Sequence, residues 1–73
     1  MNGERETVIR YGAWEGCVWR CDVRAFDTTL WGWEFAHDGA GTFGSGFRRT
    51  REQAIESIGS AFDRYAGPRH FER

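Results

Sequence analysis

The chain has 73 residues, with four Trp, six Phe and two Tyr, and a formal net charge of −1. That length makes one domain, and a charge so close to zero excludes a strong overall field for nucleic acid or an anionic membrane. No apolar run is long enough to span a bilayer, and the polar opening Met1-Asn2-Gly3-Glu4-Arg5-Glu6 has no signal-peptide core, so the expected location is the cytoplasm and no membrane partner is expected.

All ten basic residues are Arg. A GC-rich coding bias accounts for this; the sharper reading is selection for forked contacts with carboxylate or phosphate. A chain this small buries a modest share of its surface. The aromatic content therefore predicts either a dense aromatic core or a homodimer that hides the surplus.

In chain order, residues 1–6 read as a flexible N-terminus. Thr7 to Trp14 is the first strand candidate, with Ile9, Tyr11 and Ala13 on the core side. Glu15-Gly16 reads as a turn. Cys17 to Phe26 then alternates with period two, as a half-buried antiparallel strand does. Cys17, Trp19, Cys21, Val23 and Ala25 form its more apolar side and are expected to face the core. Val18, Arg20, Asp22, Arg24 and Phe26 are expected on the open side. Two cysteines four residues apart on a strand lie about 13 Å from each other at the usual rise, too far for a disulfide or a shared metal ion. Reduced thiols and no metal are expected.

Asp27-Thr28-Thr29 reads as a tight connection. Leu30 to His37 follows as a third strand, with Trp31, Trp33, Phe35 and His37 on the core side and Leu30, Gly32, Glu34 and Ala36 on the open side. A pair between Glu34 and the arginines of the second strand is expected there. Asp38 to Gly46 holds four glycines in nine residues. It reads as a long hairpin loop or as a loop with a short edge strand over Phe43 to Phe47. Gly39-Ala40-Gly41-Thr42-Phe43-Gly44 resembles the glycine-rich loop of protein kinases, which covers ATP phosphates. The chain contains no Lys and no helix opens at Gly44, so hairpin chemistry is the expectation and no cofactor is predicted.

Thr50 to Pro68 carries the helix signal. Thr50 and Gln53 form a capping-box pair. Ala54, Ile55, Ile58, Ala61, Phe62, Tyr65 and Ala66 make one apolar stripe, and Gly67-Pro68 is a stop. The expected organisation is a single α+β domain: a three- or four-stranded antiparallel sheet over residues 7–47, a helix over 50–66 across one face, and a tail over 67–73.

The lead-in Phe47-Arg48-Arg49-Thr50-Arg51-Glu52-Gln53-Ala54 is similar to that of small β-β-β-α domains, among them the integrase arm-binding domains and plant DNA-binding modules. That resemblance implies DNA contact by the open strand face. It defines one functional expectation: a nucleic-acid binder in which Arg48, Arg49 and Arg51 at the helix N-terminus hold phosphate and Arg20 and Arg24 add a second line. The preferred expectation is different. Trp14, with Val18, Phe26 and Leu30, falls on the open face beside the arginines, and Trp and Arg dominate binding hot spots. The sequence thus predicts a non-enzymatic protein-binding module of a small bacterial or phage type. It would act through Trp14, Arg20, Arg24 and Glu34, on itself or on a foreign protein. His37 and His70 have no orienting acid beside a nucleophile, so no catalytic site is predicted.

Overall fold

The first chain reversal falls at Gly12-Ala13. Gly12 takes φ 60°, a left-handed conformation that costs a residue without Cβ nothing. Tyr11 and Trp14 face each other across the turn, which makes a two-residue hairpin. A computed structural model describes residues 3–66 of the chain. In it β1 (Glu6–Tyr11) and β2 (Trp14–Val23) form this hairpin, and β3 (Thr28–His37), β4 (Gly41–Arg48) and α1 (Arg51–Tyr65) follow. The sheet is four-stranded and antiparallel, in the order β1-β2-β3-β4. The expected α+β architecture is the one observed. The Gly67-Pro68 stop, His70 and the rest of the tail lie outside the described residues.

Several boundaries differ from expectation. The second strand ends at Val23 rather than Phe26, and the connection runs over 24–27, with Thr28 and Thr29 already in β3. The turn expected at Glu15-Gly16 lies three residues earlier, and Trp14 opens β2 rather than ending β1. Of the two forms expected for the glycine-rich segment the strand is the one observed, and it is longer than Phe43 to Phe47, running over Gly41–Arg48. Only residues 38–40 turn, closed by the Ala40 amide donating to the His37 carbonyl at 3.0 Å. Most of the G-x-G-x-x-G run is therefore ladder backbone. It opens no helix.

The helix forms as its pattern predicts. The Thr50 hydroxyl accepts from the Gln53 amide at 3.1 Å, and the Gln53 side chain accepts from the Arg49 amide at 3.2 Å. Its stripe buries Ala54, Ile58 and Ala61. Together with Val18, Phe35 and Ala66 these form the core, and Ile9, Trp14, Trp31, Trp33, Ile55 and Phe62 pack against it.

Ile58 decides which side of β2 the helix covers. A Cβ built on Gly16 would stand 2.5 Å from the Ile58 Cγ2 and 2.8 Å from the Ile9 Cγ2, so this strand position accepts the helix only as glycine. Gly16 and Val18 share that side, and Val18 is fully buried. The expected orientation of β2 is thus inverted. The less apolar side, Trp14-Gly16-Val18, faces the helix, and Cys17, Trp19 and Cys21 face away. On β3 the expected assignment stands: Phe35 is in the core and Trp33 packs on it, while Leu30, Gly32, Glu34 and Ala36 face away.

The helix does not reach the whole sheet. The β1 ladder ends at the pair Glu6–Val18, continued only by the Gly3 amide on the Arg20 carbonyl at 2.8 Å, and the β4 ladder ends at Trp31–Arg48. The β2–β3 hairpin runs on past both. It closes through a single 3-10 turn, Arg24–Phe26, with Asp27 at φ 48° and Phe26 79 % exposed at the tip. No helix among the described residues is long and apolar enough to cross a membrane.

Gly16→Ala is expected to destabilise the fold by roughly 1–3 kcal/mol, the usual range for overpacking. Gly59→Ala, at a helix position with open space around it, is expected to leave stability unchanged or raise it. Urea midpoints of the two variants against wild type check this ordering; equal midpoints for Gly16→Ala and wild type would contradict it.

Candidate functional site

The four residues expected to share the open face do not share one. Trp14 lies on the helix side, its ring stacked on Phe35 at 5.0 Å and met edge-on by His37 at 4.7 Å and Phe43 at 5.0 Å. It is part of the core edge. Arg20 lies on the same side as Val18 but beyond the helix, where it holds Asp22 through two hydrogen bonds of 3.2 and 3.3 Å. Arg24 sits in the tip turn. Glu34 alone is on the open face. It faces Cys17 across the ladder, not the arginines of β2.

The arginines expected to hold phosphate are placed together, but two of the three are bound within the chain. Arg48 donates to the Ser57 hydroxyl and to the Gln53 carbonyl at 3.2 Å. Arg51 forks onto Glu6 at 3.2 and 2.7 Å. The Arg49 guanidinium has no hydrogen bond or ion pair among the described residues. Among those residues no cluster of three or more His, Cys, Asp or Glu is placed to hold a metal ion, and Cys17 and Cys21 are both free thiols.

The open face is built around Trp19, which the sequence pattern had assigned to the core. Trp19 and Gly32 are ladder partners, and a Cβ on Gly32 would fall 2.3–2.6 Å from the indole atoms. The indole therefore lies flat over the β3 backbone. The Arg5 guanidinium stacks on it at 4.2 Å from the ring centroid, the usual cation–π geometry. Arg5 then reaches on to Glu34, which also accepts from the Thr42 hydroxyl. Those two hydrogen bonds, from Thr42 first and Arg5 second, hold the Glu34 carboxyl below the usual range. One row of side chains thus crosses all four strands: Arg5 beside β1, Trp19 on β2, Glu34 on β3 and Thr42 on β4.

Beside that row the face carries an apolar patch, flanked by polar side chains. Leu30 and Cys21 are partners across β2 and β3, and Gly32 pairs with Phe47, which is 57 % exposed. At the β1 margin Glu15 takes hydrogen bonds from Arg10 at 2.9 Å and from Thr7 at 2.8 Å. Ser45 lies on the same face as Phe47. Phe43 does not: the shift of register between Phe35 and Ala36 turns it to the helix side, against Trp14 and against Tyr65 at 5.3 Å.

Sequence reasoning passed over Trp19, Arg5 and Phe47. One signal could have found the first: Trp19 and Gly32 are the large and the empty position of facing strands.

Comparison with known proteins adds no relative. No protein-family model, no curated protein and no solved structure matches this chain.

Glu34 gives the face a pH dependence of fixed sign. Folding favours its charged form, so the stability it contributes is complete above the ordinary glutamate pKa of about 4.3. It is lost as pH falls through the lower folded value. Thermal midpoints measured from pH 7 to pH 3 are expected to fall further for wild type than for Glu34→Gln. Parallel curves would contradict the Arg5–Glu34–Thr42 linkage.

Proposed function

We propose that this chain is a non-enzymatic protein-binding module whose open sheet face is its binding surface, and that the occupant of that face is a second copy of the chain. The carrying observation is that the apolar side of β2, with Trp19 at its centre, is left bare by the only helix among the described residues.

The size of the face supports this reading. The four strands have 6, 10, 10 and 8 residues, so β2 and β3 are about 33 Å long at the usual rise and the sheet about 19 Å wide at the usual spacing. Two such faces in full contact bury about 1,100 Å², just above the roughly 1,000 Å² expected of a biological interface. Aligned sheets pack with side chains of alternate residues interdigitating, and Trp19, Leu30 and Phe47 stand on this face to do so.

The arginines argue for protein rather than nucleic acid as partner. Arg20, Arg48 and Arg51 are each bonded to groups of the chain, and a phosphate contact would first have to displace those partners.

Light scattering on the eluting protein, across a range of loading concentrations and at low and high salt, tests the proposal. A dimer that persists in high salt is expected. Trp19→Ala is expected to weaken it at least about 30-fold, the factor for losing a hot spot of about 2 kcal/mol. Trp14→Ala is expected to lower the melting temperature and leave the dimer intact. A wild-type monomer at every concentration would overturn the self-association, and a dimer unaffected by Trp19→Ala would overturn its location.

A further inference from the structure

The second edge of the sheet is built differently from the first. β1 is protected: Arg5, Glu6 and Arg10 line it and its register is broken between Thr7 and Ile9, the usual devices against strand addition. From Gly41 to Phe47 β4 carries no charged side chain, and no strand among the described residues pairs with its outer side.

The register fixes which backbone groups point outward. In a two-residue hairpin the closing pair, here Tyr11–Trp14, exchanges hydrogen bonds, and bonded pairs then alternate. Carried through the β2–β3 and β3–β4 registers, this directs Gly44 and Gly46 at β3. It leaves the amide and carbonyl groups of Ser45 and Phe47 facing away from the sheet.

Beside that edge runs a groove of about 410 Å³ between β4 and α1. Its floor is the Trp33 indole, which the two glycines leave uncovered: a Cβ on Gly44 or Gly46 would stand 3.2 or 3.1 Å from the ring. Tyr65 and Arg48 also line it, with the Glu56 carboxylate 4.0 Å from Arg48. Arg64 lines the groove and forms no hydrogen bond or ion pair among the described residues.

We infer that β4 is a docking edge for an extended, acidic peptide segment. The segment adds as a fifth strand against Ser45 and Phe47, the strand-addition mode of peptide recognition. About six residues match the stretch from Phe43 to Arg48. Alternate side chains of the added strand fall on the helix side, where an apolar one covers Trp33 and a carboxylate pairs with Arg64. Strand addition uses the outward backbone groups of Ser45 and Phe47 and the helix side of β4, whereas self-association uses side chains of the open face, so the two proposals are tested separately.

The test uses the full chain and fluorescein-labelled hexapeptides that alternate Thr with Val, Ile, Leu or Phe and end in Asp, with Lys-ended counterparts. Fluorescence polarisation should show saturable binding of Asp-ended peptides, at least about tenfold tighter than their Lys-ended counterparts. Ser45→Pro removes the outward amide donor at an edge position where proline is tolerated, and should abolish binding with the far-UV spectrum retained. Arg64→Glu should reverse the preference between Asp and Lys ends. No saturable binding by any Asp-ended peptide would overturn the proposal, as would equal binding by Arg64→Glu and wild type. Should Ser45→Pro change only the oligomeric state, the edge pairs two copies of the chain and the peptide reading is wrong.

Discussion

Ile58 of the helix sits where β2 has no side chain. That one contact sets the layout of the molecule. With Gly16 beneath it, α1 comes close enough to bury Val18 completely, and burial of that side leaves the other side of β2 outside. The same exchange of a large side chain for an absent one recurs twice: Trp33 lies against Gly44 and Gly46, and Trp19 lies on Gly32. Glycine weakens a strand through entropy and lost packing. Here each is offset by an aliphatic or aromatic group that covers its backbone, and the aromatic content of the chain is divided between both faces of the sheet.

Charge is handled locally. Arg10–Glu15 and Arg20–Asp22 pair locally on the sheet, Arg5–Glu34 pairs across its open face, and Arg51–Glu6 ties the helix to β1. Exposed pairs of this kind contribute about 0–1 kcal/mol each, so they do not hold the fold together. They neutralise four arginines locally; among the described residues the guanidinium groups of Arg49 and of Arg64, which lines the β4 groove, form no such pair. Arg5 does more than cancel a charge, since its stacking on Trp19 fixes the indole against the sheet.

Several elements were legible in the sequence because one physical signal dominated each. Thr50, Gln53 and the Ala54–Ile58–Ala61 stripe specify α1 without outside help. The aromatic side of β3 is large enough to settle its orientation. β2 was not legible by the same rule. Its two sides differ little in apolarity within the part that α1 covers, and complementarity to Ile58, invisible along a single strand, decides between them. Trp14 was misplaced for a related reason: Gly12 alone carries the turn, while Glu15-Gly16 has the composition of one. The alternation of Phe43, Ser45 and Phe47 left an edge strand open beside a loop, and a strand so rich in Gly is favoured over the loop only once Trp33 is known to lie on it. The candidate interaction surface inherited these errors, since it was assembled from the side of β2 that the helix covers.

The orientation of β2 is the central claim, and a methyl-resolved NOESY spectrum tests it directly. Cross-peaks are expected from the Ile58 γ2 methyl to the α-protons of Gly16, and from the Trp19 indole to the α-protons of Gly32 with none to α1. Cross-peaks between the Trp19 indole and the Ile58 or Ala54 methyls would show the opposite side of β2 under the helix and contradict the account.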